Sequence, residues 1–81
     1  MPAPKPPELT RDRVEGLLGE LCVRLGFCLP PDDWDRLAAD PPQDAGAFTD
    51  AVFRAEGLDP ETADLRLWRQ VRDLVASYAE P

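Results

Sequence analysis

Apolar residues recur at steps of three and four along most of the chain, the spacing that places them on one buried face of an α-helix. The pattern is broadest near the carboxyl end, in Leu65, Leu67, Trp68, Val71, Leu74, Val75 and Tyr78. Asp59 is a good N-cap and Pro60 suits the first helical position, so a helix over 59–79 is predicted. We expect the rest of the chain to pack on this helix, which is the longest.

Three further helices are predicted upstream, near residues 10–26, 31–40 and 44–57. Thr10 and Asp44 are suitable caps for the first and third of them, and Gly26 and Gly57 can end them in a left-handed conformation. Proline pairs border the short second helix on both sides. Because proline disfavours helical geometry in the residue before it, the second pair ends that helix.

Two glycines, Gly16 and Gly19, lie inside the first predicted helix. Each costs about 1 kcal/mol of helix stability relative to alanine. This cost predicts that another helix approaches closely on that side.

No alternating strand pattern is present, so the predicted fold is all-α: a compact bundle of four helices, one of them short. It forms a single domain over residues 9–80 and follows a flexible, disordered Pro-rich tail at 1–8. The predicted core consists of Leu17, Leu18, Leu21, Leu25, Trp34, Leu37, Phe48, Val52, Leu65, Trp68, Val71 and Val75.

The chain of 81 residues carries a net charge of −7, which argues against a nucleic-acid partner because nucleic-acid binders are normally basic. The acidity is concentrated in residues 32–64, where ten acidic side chains oppose only Arg36 and Arg54 for a local net charge of −8. A solvated polar face that aids solubility explains this segment. The alternative is a surface that meets a basic partner.

Two groups of charged residues are candidate partner-binding sites. Asp32, Asp33 and Asp35 surround a tryptophan, but they lack the glycine and glutamate positions of a calcium loop, and helix capping and solvation explain them. Arg66, Arg69 and Arg72 are spaced by three residues along the last helix and could bind carboxylate or phosphate groups. The alternative for this row is a solvated face in which Arg69 pairs with Asp73.

Cys22 and Cys28 are the only cysteines. No signal segment and no apolar run long enough for a membrane span is present, so a reducing cytoplasm, no membrane partner and two free thiols are expected. A disulfide requires that the turn after Gly26 folds back. The abundance of arginine and alanine favours a bacterial source with a GC-rich genome.

Catalytic chemistry has little support, because histidine is absent and no phosphate-binding glycine loop is present. The only serine, Ser77, falls late in the last helix. An acyl or peptidyl carrier protein needs a serine at the start of a helix, so this class is disfavoured. We expect no enzyme activity, no cofactor and no metal.

The stretch Phe48-x-x-x-Val52-x-x-Ala55-Glu56-Gly57, followed by an acid-started helix, is similar to a segment of colicin-type DNase immunity proteins. Those are small acidic four-helix proteins that bind basic nuclease domains. The segment lies in the first helix of that family but in the third predicted helix here, and the family's tyrosine-bearing contact helix has no counterpart. The short resemblance therefore assigns no family.

The leading functional hypothesis is a small non-enzymatic protein-interaction module that uses helix faces to bind another protein. The alternative is an immunity- or antitoxin-type inhibitor whose acidic central segment covers a basic partner. A homodimer also remains open, because arginines of one copy could meet the acidic segment of another.

Overall fold

Within residues 9–79, the computed structural model contains four α-helices: α1 (Arg11–Leu25), α2 (Pro31–Ala39), α3 (Ala45–Ala55) and α4 (Leu65–Ala79). The structure describes residues 9–79, and no strand occurs within that range. The all-α prediction, with one short helix, is confirmed. The predicted disordered tail at residues 1–8 lies outside the described residues.

The helices pack in a defined order. α2 and α4 both pack on α1, and α3 packs on α4. α1 contributes four of the buried core residues, whereas only Val71 and Val75 of α4 are buried. The expectation that everything packs on the last helix is therefore wrong, because α2 packs mainly on α1.

The buried core holds most of the predicted residues. Leu25, Trp34 and Trp68 are only partly buried against it, and Leu65 is 57% exposed, so its assignment to the core is wrong. Phe53, off the main apolar stripe of α3, is fully buried and packs on Phe27 with 5.2 Å between ring centroids. The buried hydrophobic residues are Leu9, Val14, Leu17, Leu18, Leu21, Phe27, Leu29, Leu37, Ala38, Phe48, Val52, Phe53, Val71 and Val75.

The last helix begins later than predicted, at Leu65 rather than near residue 59. Asp59 does accept a hydrogen bond from the backbone N–H of Glu61, but only a single turn follows it. The carboxylate of Asp64 then accepts from the N–H of Arg66 at 2.8 Å and caps α4 itself. Leu65 consequently becomes the first residue of the helix, where its side chain faces solvent.

The chain reverses at the end of α1 through Gly26, whose φ of +77° is left-handed. The N–H of Gly26 donates to Cys22 O at 3.2 Å, and the N–H of Phe27 donates to Leu21 O at 3.1 Å. This fold-back places Cys28 beside Cys22, and the two form a disulfide. The expectation of free thiols is wrong because the turn after Gly26 does fold back over the last turn of α1.

Aromatic side chains of two other helices lie near the glycines of α1. A Cβ atom built on Gly16 would lie 3.4 Å from the ring of Tyr78 in α4, and one on Gly19 would lie 4.0 Å from the ring of Trp34 in α2. Neighbouring helices do reach this side of α1, but at distances of ordinary van der Waals contact, so the predicted close approach does not explain either glycine.

Residues just before α1 are fixed to the loop between α2 and α3. The side-chain amide of Gln43 accepts from Leu9 N–H at 2.8 Å and donates to Leu9 O at 3.0 Å. The side chain of Leu9 is buried in the core. This pair of bonds ties the start of the described chain to the far end of α2.

Reduction of the Cys22–Cys28 disulfide is expected to lower the free energy of unfolding by about 2 kcal/mol, because the cross-link removes loop-closure entropy from the unfolded chain. Urea unfolding with and without a reductant measures this difference. The double variant Cys22→Ser/Cys28→Ser is the control and should not respond to the reductant. Identical unfolding curves for the oxidised and reduced wild type would contradict the expectation.

Two glycine-to-alanine substitutions in and after α1 should have opposite effects. Gly19→Ala should raise the free energy of unfolding by up to about 1 kcal/mol, since the helix gains propensity and the added methyl group makes only ordinary contact with Trp34. Gly26→Ala should lower it by about 1–2 kcal/mol because alanine is strained at a positive φ. Thermal and urea unfolding of both variants test the pair, and a destabilised Gly19→Ala would show that the side chain has no room.

Candidate interaction surfaces

The acidic side chains of α2 differ in their surroundings. Asp33 is half-buried and forms an ion pair with Arg36, with 3.6 Å between the carboxylate and guanidinium atoms. Asp32 and Asp35 are exposed and contact no cation among the described residues. These two, spaced by three positions on the outer side of the helix, are called the α2 acidic patch.

Several other acidic residues of the 32–64 segment have structural partners. Asp44 accepts from the N–H of Ala47 at 2.9 Å and caps α3, as predicted. The carboxylate of Asp50 in α3 accepts a 2.8 Å hydrogen bond from the indole N–H of Trp68 in α4. Part of the local negative charge therefore supports the fold, and the α2 acidic patch belongs to the remainder.

The structure brings together only two members of the arginine row of α4. Arg66 and Arg69 line one shallow open groove next to the exposed Leu65. Arg72 instead lies over the ring of Trp68, with its guanidinium carbon 5.7 Å from the ring centroid, and forms an ion pair with Asp73 at 2.9 Å. The predicted pairing of Asp73 with Arg69 is wrong, since Arg72 occupies that carboxylate.

Arg66 and Arg69, called the α4 arginine pair, have no ion pair within residues 9–79. α2 and α4 both pack on α1. The two groups of sequence-predicted site residues therefore belong to two surfaces on different helices rather than to one site.

A third surface, which the sequence analysis missed, lies between α2 and α3. Leu37 is buried at its base, and half-buried alanines of α3 line the opposite side. This α2–α3 groove is lined by Asp33, Arg36, Leu37, Ala51, Arg54 and Ala55. The sequence contains one feature that could have indicated this groove: Arg36 and Arg54 are the only basic residues between positions 32 and 64.

A hydrogen bond and an adjoining ion pair connect α4 to α1. The hydroxyl of Tyr78 donates to one carboxylate oxygen of Glu20 at 3.1 Å, and the other oxygen forms an i, i+4 ion pair with Arg24 at 3.3 Å. Burial raises the pKa of the Tyr78 hydroxyl, and the hydrogen bond to Glu20 adds to the increase. Tyr78 therefore remains a neutral donor to higher pH than a solvated tyrosine.

One carboxylate oxygen, Oε1 of Glu56, is buried without a hydrogen-bond partner among the described residues. It lies at the carboxyl end of α3, where the helix dipole also disfavours negative charge. No group of three or more cysteine, aspartate or glutamate side chains within residues 9–79 is placed to hold a metal ion. The three surfaces described above can therefore bind a partner through charge pairing and hydrogen bonds.

Comparison with known proteins yields no significant match to a protein-family model, a curated protein or a solved structure. Among the described helices, none combines the length and the apolar character that crossing a membrane requires.

Two acidic residues of the same segment should differ sharply when they are replaced by alanine. Asp50→Ala should lower the free energy of unfolding by about 1–3 kcal/mol, because the partly buried indole N–H of Trp68 loses its charged acceptor. Asp35→Ala, the matched control on an exposed site, should change it by no more than about 0.5 kcal/mol. Urea unfolding followed by tryptophan fluorescence measures both, and equal effects would show that the Trp68 bond contributes nothing.

Proposed function

We propose that the chain is a non-enzymatic helical interaction module that binds a basic surface of another protein. The observation that supports this proposal best is the α2 acidic patch, because Asp32 and Asp35 are exposed and unpaired within the described chain. Both lie on one helix, which holds them at a fixed separation. Carboxylates presented in this way favour a partner of opposite charge and accelerate encounter with it.

An inhibitor of the immunity or antitoxin type is the second candidate. The concentration of charge in residues 32–64, a local net of −8, favours it, since such an inhibitor covers a basic active site with acidic side chains. The identity of the partner separates the two candidates. An inhibitor binds a toxin or nuclease and abolishes its activity on mixing, whereas a general module leaves the partner active.

A second copy of the chain is the alternative partner, because Arg66 and Arg69 of one copy can pair with acidic side chains of another, although Asp64 and Asp73 line the same groove. Sedimentation at low and high salt tests this alternative. Association that weakens with salt would support it, and a monomer at all concentrations in low salt would reject it.

The free thiols expected from the sequence followed from the expected cytoplasmic location. The Cys22–Cys28 disulfide favours an oxidising compartment instead, since disulfides persist poorly against cytosolic reductants. Binding by the α2 acidic patch requires no particular compartment, so the proposed function stands apart from the location.

Substitution of the α2 acidic patch should weaken partner binding with little effect on folding. We expect Asp32→Asn/Asp35→Asn to reduce capture of a basic partner from extracts of cells that express the chain, and the wild-type affinity to fall as salt rises. The matched control is Arg66→Gln/Arg69→Gln, which also removes two exposed charges but from α4.

Affinity capture followed by binding measurements on the recovered partner gives the result. Loss of binding in the aspartate variant alone supports the proposed function. Equal capture by all three proteins, or capture of acidic partners only, would contradict it.

A further inference from the structure

We propose that the α2–α3 groove binds an acidic side chain of a peptide segment, with the carboxylate held by Arg36 and Arg54. The proposal goes beyond the proposed function, because it assigns a second site and the chemistry of the group that occupies it. It takes from that function only that the peptide belongs to a partner protein.

The groove exists because of the order in which the helices pack. α2 packs on α1 and α3 packs on α4, and the seam between α2 and α3 stays open. Three residues spaced by three and four positions line each wall: Asp33, Arg36 and Leu37 on α2, and Ala51, Arg54 and Ala55 on α3. This spacing places each set on one helix face, so two faces with apolar and charged residues confront each other across the seam.

The two guanidinium groups have hydrogen-bonding capacity to spare. Arg54 is exposed, and its guanidinium group makes no hydrogen bond or ion pair within the described chain. Arg36 has a single ion pair, to Asp33 at 3.6 Å, which is longer than a charge-assisted hydrogen bond, and its side chain is 76% exposed. Since each guanidinium carries five N–H donors, both can bind a carboxylate in the groove.

The charge of the groove favours a carboxylate over a phosphate. Arg36 and Arg54 together with Asp33 give the lining a net charge of +1. One carboxylate neutralises that charge, whereas a doubly charged phosphate exceeds it and is repelled by Asp33. The same carboxylate of Asp33 can accept an N–H group that accompanies the bound acid.

The shape of the groove favours a peptide over an enclosed small molecule. The seam is open to solvent and lies between two helices, which is the setting in which proteins bind peptide side chains as anchors. The lining on α3 spans Ala51 to Ala55, about one helical turn of 5–6 Å. That length accommodates one acidic side chain and an apolar neighbour that contacts Leu37 and the alanines.

Titration of the ¹⁵N-labelled full chain, with its disulfide intact, tests the proposal. The probe is the blocked peptide acetyl-Ala-Ala-Glu-Leu-Ala-amide, and the control peptide carries glutamine in place of glutamate. We expect saturable shifts at the amides of Leu37, Ala51 and Ala55, with a Kd on the order of 1 mM because a single anchor is bound. The glutamine peptide should bind about tenfold more weakly, since it lacks the charge.

Protein variants separate the groove from general charge effects. Arg54→Gln should weaken binding of the glutamate peptide about tenfold, and Arg69→Gln, which removes the same charge from α4, should leave the affinity unchanged. The Arg54 side chain makes no hydrogen bond or ion pair within the described chain that its replacement would break, and the amide spectrum of each variant verifies the fold. The shifts should also persist in Asp32→Asn/Asp35→Asn, so this test can fail or succeed independently of partner capture.

Three results would overturn the proposal. The first is the absence of saturable shifts along the α2–α3 groove, and the second is equal affinity for the glutamate and glutamine peptides. The third is an equal loss of affinity in Arg54→Gln and Arg69→Gln, which would show a non-specific effect of net charge.

Discussion

Burial of one face of α1 is the interaction on which the rest of the structure depends. Val14, Leu17, Leu18 and Leu21 lose all contact with water, and α2 and α4 cover this helix. Each such side chain contributes about 1.5–3 kcal/mol on full burial, a large share of the stability of so short a chain. Because α3 packs on α4, the α2–α3 seam is what this arrangement leaves uncovered.

The acidic composition of the middle segment has two physical origins. The first turn of every helix exposes backbone N–H groups without a partner in the helix, and aspartates such as Asp44 and Asp64 satisfy some of them. Asp50 of α3 instead accepts a hydrogen bond from the indole N–H of Trp68, which extends from α4. The net charge alone therefore overstates the number of acidic side chains that are free to bind a partner. Those are the side chains that neither cap a helix nor accept an internal hydrogen bond.

The features predicted correctly from the sequence are those that depend on residues close together in the chain. Helical periodicity identified all four helices, and capping by Thr10 and Asp44 was read correctly from the sequence. The start of α4 was misplaced because Asp59 and Asp64 are both adequate caps, and sequence alone does not rank them. The prediction of free thiols was wrong because disulfide formation depends on how tightly the chain reverses at Gly26, and sequence spacing does not reveal this.

The surfaces were harder to predict because they depend on which helices become neighbours. Arg36 and Arg54 are eighteen positions apart, and only the packing order brings them to one groove. The three α4 arginines, in contrast, have equivalent spacing in the sequence, yet only Arg72 lies over the ring of Trp68 and forms an ion pair with Asp73. Both the α2 acidic patch and one wall of the groove belong to α2, whose position is set by its packing on α1. A change in that packing would therefore alter the two surfaces together, although their charges are opposite.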